Sequence, residues 1–430
     1  MNLSTPHYRL ISWHAGKRFN RPIVASPQVL LRRFPLFFYD FLPPWPRLPV
    51  NTVESAGAMI DQTSELTPLH LALWLDWRQL PQEAGFIYSL AVAAKAEGCR
   101  ISIIAPAGAD LSFLPDLGTP ILLVPNPSGP LWLESIRRPS MDIINQLKKA
   151  MVDVVLQFAP RTAHNSLQLR LAQEFPVVRW IWDSSDLRPN AGQIIDGAQL
   201  VVVSQHAKDQ CGKERTDVSL IHPGVLVHDS LPPQFGAADR PALMVCLDLI
   251  SDYQLFADLL DACRRLMDEK ADFLLVLCDA GKEAHNVWKL SNDLGLLDRI
   301  SFIPYRYDID PLLTQVDVYI QLTAASRYNY TTLRAMARRI PVVANPGVND
   351  EFCIDGQTCH VFDRSRPDML SAALADMLAH PAAGREMAQR AATHLQRHYS
   401  MSNAVQRLIA LCRQAAGIPL TLPKAPPSIA

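Results

Sequence analysis

The feature that most constrains this chain is a rhythm. From Leu69 onward, short apolar runs rich in β-branched residues alternate with longer stretches of helical period. The runs at 69–76 (LHLALWLD), 101–105, 120–124, 152–158, 177–183, 200–204 and 218–222 read as strands, with helices such as 84–97 and 165–174 between them. Strands that succeed one another through helices lie parallel and are joined by right-handed crossovers, so the pattern dictates an α/β fold. The rhythm pauses at 229–241 (DSLPPQFGAADRP), where Pro, Gly and charges gather as in a linker. It then restarts with strands at 242–247, 273–278, 300–303, 317–321, 341–344 and 359–362. Helices are expected near 252–269, 282–294, 328–339 and 367–379, followed by three more helical stretches up to about 416.

A chain of 430 residues exceeds what one hydrophobic core usually holds. The expected division is an irregular N-terminal extension (1–66), a first Rossmann-like domain (67–228), the linker (229–241), a second Rossmann-like domain (242–400), a helix (401–416) and a loose tail (417–430). Two parallel sheets facing one another leave a cleft beyond the carboxyl ends of their strands, and that cleft is the expected functional site.

Composition narrows the function classes. Hydrophobic residues make up 49% and charged residues 19%, which is globular and excludes a mostly disordered chain. The 41 Lys and Arg balance 42 Asp and Glu, so no general nucleic-acid binder is expected. Eight cysteines are scattered without a Cys-x-x-Cys pair, which reads as reduced, buried thiols in a cytoplasmic protein. The first residues have no apolar core behind a basic segment, so no secretory leader is expected, and no run of ~18 apolar residues suggests a spanning helix. Residues 29–45 (VLLRRFPLFFYDFLPPW) put aromatics beside Arg32 and Arg33. They read either as a peripheral contact on the inner face of a membrane or as an extension wrapping the first domain. Their prolines exclude a long amphipathic helix.

No His-Glu-x-x-His, Gly-x-Ser-x-Gly or Walker loop occurs, so neither a metal nor any other cofactor is expected. His394 and His398 share a helix face by their spacing and read as part of a solvated basic surface with Arg390 and Arg397. Trp180 and Trp182 alternate on one strand and read as core.

Several segments in collinear order carry a resemblance. They are Val201-Val-Val-Ser-Gln-His-Ala-Lys208, Ile221-His-Pro-Gly-Val225, Asp279-Ala-Gly281, Leu294-Gly-Leu-Leu-Asp-Arg-Ile-Ser-Phe302, Leu333-Arg-Ala-Met-Ala-Arg-Arg-Ile-Pro-Val-Val-Ala344 and Asp355-Gly-Gln-Thr358. Together they resemble the GT-B glycosyltransferases, in particular the retaining family four, over residues 69–400. The resemblance implies two Rossmann-like domains facing a cleft, a nucleotide-sugar donor on the second domain, no metal, and a final helix crossing back to the first domain.

The resemblance is weakest at the positions that would carry chemistry. Ser326 and Arg334 stand where the family has two glutamates flanking sugar and ribose. The Arg and Lys that would grip the donor diphosphate fall on Leu247 or Asp248 and on Asp252. Trp182 replaces a histidine before Asp183, Leu156-Gln-Phe158 lacks another, and the glycine pair after the first strand is reduced to Ala84-Gly85. One charge pair at ~4 Å and an effective dielectric near 20 is worth roughly 4 kcal/mol. Exchanging a cation for Asp252 therefore sets several decades of rate at stake, since a departing diphosphate gains negative charge.

The expected cleft residues are Gly85, Asp183, Asp248, Asp252, Gly281, Lys282, Arg306, Ser326, Tyr328, Asn329 and Arg334. Lys282 and Arg306 could supply replacement positive charge, and Tyr328 and Asn329 could grip a sugar or a base. Arg334 is expected to pair with Asp248 or Asp252 across the cleft. Two functions stay open. One is a divergent glycosyltransferase of surface polysaccharide or glycolipid synthesis, acting on a glycan or lipid-linked acceptor. The other is an inactive relative that serves as binding partner of an active transferase.

Overall fold

The computed structural model describes residues 68–419 apart from 76–79, 108–110, 112–116, 125–132, 159–164, 183–197, 212–216, 228–240, 249, 251, 279–280, 305–308, 323–327, 346, 348–350 and 364. Segment 29–45, Asp183, Arg306 and Ser326 thus lie outside the described residues.

The first domain runs β1 (His70–Trp74), α1 (Leu80–Ala96), β2 (Arg100–Pro106), β3 (Ile121–Val124), α2 (Leu133–Lys149), β4 (Val154–Gln157), α3 (Asn165–Glu174), β5 (Val177–Ile181), β6 (Gln199–Val202), α4 (Gln205–Gln210) and β7 (Val218–Leu220). The second runs β8 (Ala242–Cys246), α5 (Tyr253–Asp268), β9 (Phe273–Cys278), α6 (Ala284–Asp293), β10 (Ile300–Ile303), α7 (Asp310–Leu313), β11 (Val318–Gln321), α8 (Tyr330–Ala337), β12 (Val342–Ala344), β13 (His360–Val361), α9 (Pro367–Ala379), α10 (Pro381–His398) and α11 (Met401–Ala415). Strands form at every stretch that the apolar runs predicted. After α9 there are two helices rather than three, because α10 continues unbroken for 18 residues from a proline in its first turn.

Both sheets are parallel, in the orders β3-β2-β1-β4-β5-β6-β7 and β10-β9-β8-β11-β12-β13. The order reverses between β1 and β4 and again between β8 and β11, so each sheet has a switch point where the loops after neighbouring strands diverge. β1, β4, β5 and β9 are buried along their whole length, which is why they read as continuous apolar runs rather than alternating ones.

One hydrophobic core runs through both domains. It joins Leu71, Phe86 and Trp180 of the first to Val245, Leu333 and Met336 of the second. The outer faces carry separate cores, around Val155 and Leu171 in the first domain and Phe256 and Leu275 in the second. Helix α11 packs on α1, where Val405, Leu408 and Ile409 meet Leu71, Leu73, Leu90 and Ala91. Its approach is set by backbone bonds from Val225 N to Tyr399 O (2.8 Å) and from Met401 N to Val225 O (3.3 Å). Gly224 makes this crossing possible, since a Cβ there would lie 2.4 Å from the Met401 Cα.

His70, at the start of β1, is held neutral by its surroundings. Its Nδ1 lies 3.0 Å from the Ala150 carbonyl and its Nε2 2.9 Å from Ser102 Oγ, so Nδ1 donates and Nε2 accepts. Burial lowers its pKa below the ordinary value of 6.5, and burial also lowers that of His394, helped by the neighbouring His398. The unfolded chain therefore takes up protons that the folded one resists. Stability is expected to fall as pH drops from about 6.5 toward the lower folded pKa values, by at most ~1.4 kcal/mol per pH unit for each group. Urea midpoints between pH 7.5 and 5.5 test this, and His70→Asn should flatten the acid limb.

Candidate functional site

The cleft is built where α1 of the first domain meets α8 of the second. Gly85 and Ser89 lie one turn apart on α1, and Tyr330 and Arg334 lie one turn apart on α8. The Arg334 guanidinium rests on Gly85: a Cβ there would lie 2.7 Å from Nη1 and 3.1 Å from Cζ, so the end of the arginine would have to move aside. Ser89 turns its hydroxyl back to the Gly85 carbonyl (2.9 Å), which keeps this face of α1 low. Tyr330 reaches further, its hydroxyl donating to the Gly224 carbonyl at 3.1 Å. Burial raises the Tyr330 pKa, so the phenol stays a donor.

Arg334 pairs with neither Asp248 nor Asp252, contrary to the sequence expectation. Its Nη2 donates to Asp310 Oδ1 at 2.6 Å, and Arg338, one turn on, reaches the same oxygen at 3.2 Å. The physical reason is that both expected acids accept hydrogen bonds elsewhere. Asp252 caps α5, accepting from Gln254 N at 3.1 Å. Asp248 leaves the end of β8 and accepts from Leu322 N (2.6 Å) and from Asn329 Nδ2 (2.9 Å). Asn329 in turn caps α8 through Thr332 N at 3.1 Å. Asp248 and Asn329 thus fasten the loop after β11 to the loop after β8, across the second switch point.

The remaining expected residues are spread out. Gly281 has φ +119° and packs on the Ile250 backbone, where a Cβ would lie 2.2 Å from the carbonyl oxygen; Glu283 N then donates to that oxygen at 3.0 Å. This holds the loop after β9 against the loop after β8. Lys282 is exposed beside it and makes no ion pair among the described residues, so it does not join Arg334. Tyr328 is buried.

Aromatic side chains fill the floor of the cleft. Phe86 packs edge-on against Tyr330 (5.3 Å between centroids) and Trp182 (5.0 Å) and lies tilted beside Trp180 (5.0 Å). Trp182 lies 6.2 Å from Tyr328, which continues to Phe352 and Tyr399. All of these rings are buried. The indole N–H groups of Trp180 and Trp182 and the Tyr328 hydroxyl find no hydrogen-bond partner among the described residues. Trp182 thus presents a ring where the resemblance implied a histidine. His394 is also less solvated than expected, stacking between His398 and Tyr399. No group of His, Cys, Asp and Glu among the described residues is arranged to hold a metal.

Sequence reasoning missed Asp310, Arg338, Phe86 and Tyr330 as parts of this site. Asp310 carried a usable signal, since an acid followed by Pro311 marks a helix start. Phe86 carried only its place beside Gly85.

This architecture, two parallel-sheet α/β domains set against one another, is that of the GT-B fold. Residues 228–394 match the family described as "Glycosyl transferases group 1". Over 154 residues the chain is 27% identical to the lipopolysaccharide core biosynthesis glycosyltransferase LpsE of Rhizobium meliloti (strain 1021), a match covering 36% of this chain and 44% of that protein. Over 210 residues it is 25% identical to the lipopolysaccharide core biosynthesis mannosyltransferase LpcC of Rhizobium leguminosarum bv. viciae, covering 47% and 58%. The matched regions therefore span about half the length of these relatives. Among solved structures, Anabaena Alr3699/HepE in complex with UDP and glucose superposes with a TM-score of 0.66 at 14% identity, covering 80% of this chain and all of that one (100%).

Proposed function

We propose that this protein is a glycosyltransferase of bacterial surface-polysaccharide assembly, moving a sugar from a nucleotide-sugar donor to a glycan or lipid-linked acceptor. The observation that carries the reading is the group 1 match, which spans the donor-side domain from residue 228 to residue 394. The lipopolysaccharide-core relatives support the polysaccharide acceptor, and the Anabaena complex supports a uridine nucleotide sugar as donor. In this reading the second domain binds the donor, the first binds the acceptor, and the work is done at the cytoplasmic face of a membrane, with residues 29–45 as the contact. No helix among the described residues is long and apolar enough to cross a membrane.

A second reading rests on the aromatic packing between the domains and on Leu247 or Asp248, and Asp252, standing where the resemblance implies donor-gripping cations. It is an inactive relative that partners an active transferase. Thermal shift with a panel of nucleotide sugars and free nucleotides separates the two. The transferase reading expects one of them to stabilise the protein, by about 2.7 kcal/mol at a hundredfold excess over Kd. No shift across the panel, together with co-purification of another transferase, would overturn it in favour of the second.

A further inference from the structure

The resemblance implies cations at positions that hold Leu247 or Asp248 and Asp252 here, which raises the question of which group in this cleft meets a phosphate. We infer that Arg334, with Arg338 beside it, is the phosphate-binding group of the interdomain cleft, and that the Asp310 carboxylate holds the place of the anion when no ligand is bound.

The geometry of the pair leads there. The guanidinium groups of Arg334 and Arg338 share one Asp310 oxygen where the two domains meet. The Arg334 fork is oriented rather than loose: Asp310 holds Nη2 at 2.6 Å, and Nη1 lies over Gly85. Its Nε and Nη1 make no further hydrogen bond among the described residues, and the side chain keeps 14% of its surface exposed. A guanidinium offers five N–H donors in a fixed plane that matches a phosphoryl group, so one carboxylate oxygen leaves most of its capacity unused. Asp310 is the exchangeable partner. It is 36% exposed and stands at the start of a four-residue helix, at the surface end of the pair. Helix α1 begins at Leu80, and the positive end of its dipole lies little more than a turn from Gly85.

The shared ligand chemistry is a phosphoryl group, which either the diphosphate of a sugar nucleotide or a phosphorylated acceptor glycan would bring. Only the choice between these sources rests on the transferase reading; an inactive relative could bind the same anion.

The experiment is calorimetric titration of the full chain with inorganic pyrophosphate, then with UDP and with glucose 6-phosphate. Wild type should bind pyrophosphate, and Arg334→Gln should weaken binding tenfold or more. Asp310→Asn should tighten it severalfold, because the competing carboxylate is gone; a merely structural ion pair would give no gain. Arg334→Lys retains the charge and should bind between the two, which keeps the idea testable if Arg334→Gln fails to fold. Preference for UDP identifies the donor source, and preference for the sugar phosphate the acceptor source; either supports the site. Absence of pyrophosphate binding to wild type and Asp310→Asn alike, or equal affinity in wild type and Arg334→Gln, would overturn the inference. Failure of the nucleotide-sugar panel with retained pyrophosphate binding would count against the transferase reading alone.

Discussion

A Phe86→Ala variant should lose about 3–5 kcal/mol of stability, the range for emptying a buried aromatic site. Phe86 is fully buried and touches Phe158, Trp180 and Trp182 of its own domain and Tyr330 of the other. The loss is a large fraction of the ~5–15 kcal/mol that usually separates folded from unfolded chains. Urea denaturation followed by tryptophan emission measures it, since two indoles lie against the deleted ring. The interface origin of the effect has its own check. A double-mutant cycle between Phe86→Leu and Tyr330→Leu should return a coupling of ~0.5–1.5 kcal/mol, as expected for an edge-to-face pair. Strict additivity would mean that the two rings do not meet across the domains.

The second large effect is expected at Gly281. Alanine there must adopt φ +119° and place its Cβ 2.2 Å from the Ile250 carbonyl oxygen and 2.5 Å from its carbonyl carbon. These are backbone atoms, so no side chain can rotate away. Backbone strain of ~1–3 kcal/mol and overpacking of ~1–3 kcal/mol act together. The nearby loop after β8 should shift and loosen Asp248 from Leu322 and Asn329. Gly98→Ala is the matched control: its φ is also positive, at +81°, but an added Cβ meets nothing within 4 Å. Thermal unfolding of the two variants should therefore differ by well over 1 kcal/mol. Equal losses would show that the left-handed backbone, rather than the contact with Ile250, sets the cost.

Much of the fold was legible in the chain because buried parallel strands leave a signal that no neighbour can erase: a short apolar run with turns on either side. The site was legible only in part. Gly85 and Gly281 were expected in the cleft for their place after strands; Gly85 lies under the Arg334 guanidinium and Gly281 against the Ile250 backbone. Asp248 and Asp252 were expected to pair with Arg334, and neither does. Asp252 stands just before a helical period, which is the mark of an N-cap, and local capping is what it does. The partner of Arg334 lay beyond sequence reasoning, since Asp310 precedes it by 24 positions on a separate four-residue helix and no periodicity joins them. The contact of Phe86 with Tyr330 is harder still, because it depends on how two sheets are placed and not on either alone.

The docking of α11 on α1 has a consequence for biosynthesis. Leu71, Leu73 and Leu90 emerge from the ribosome long before Val405, Leu408 and Ile409 of the helix that covers them. The nascent first domain must wait with an uncovered apolar face until the second domain and α11 have followed it. Such waiting is the circumstance in which chaperones are recruited, and it makes yield in the cell sensitive to changes near residue 408 that leave the cleft untouched.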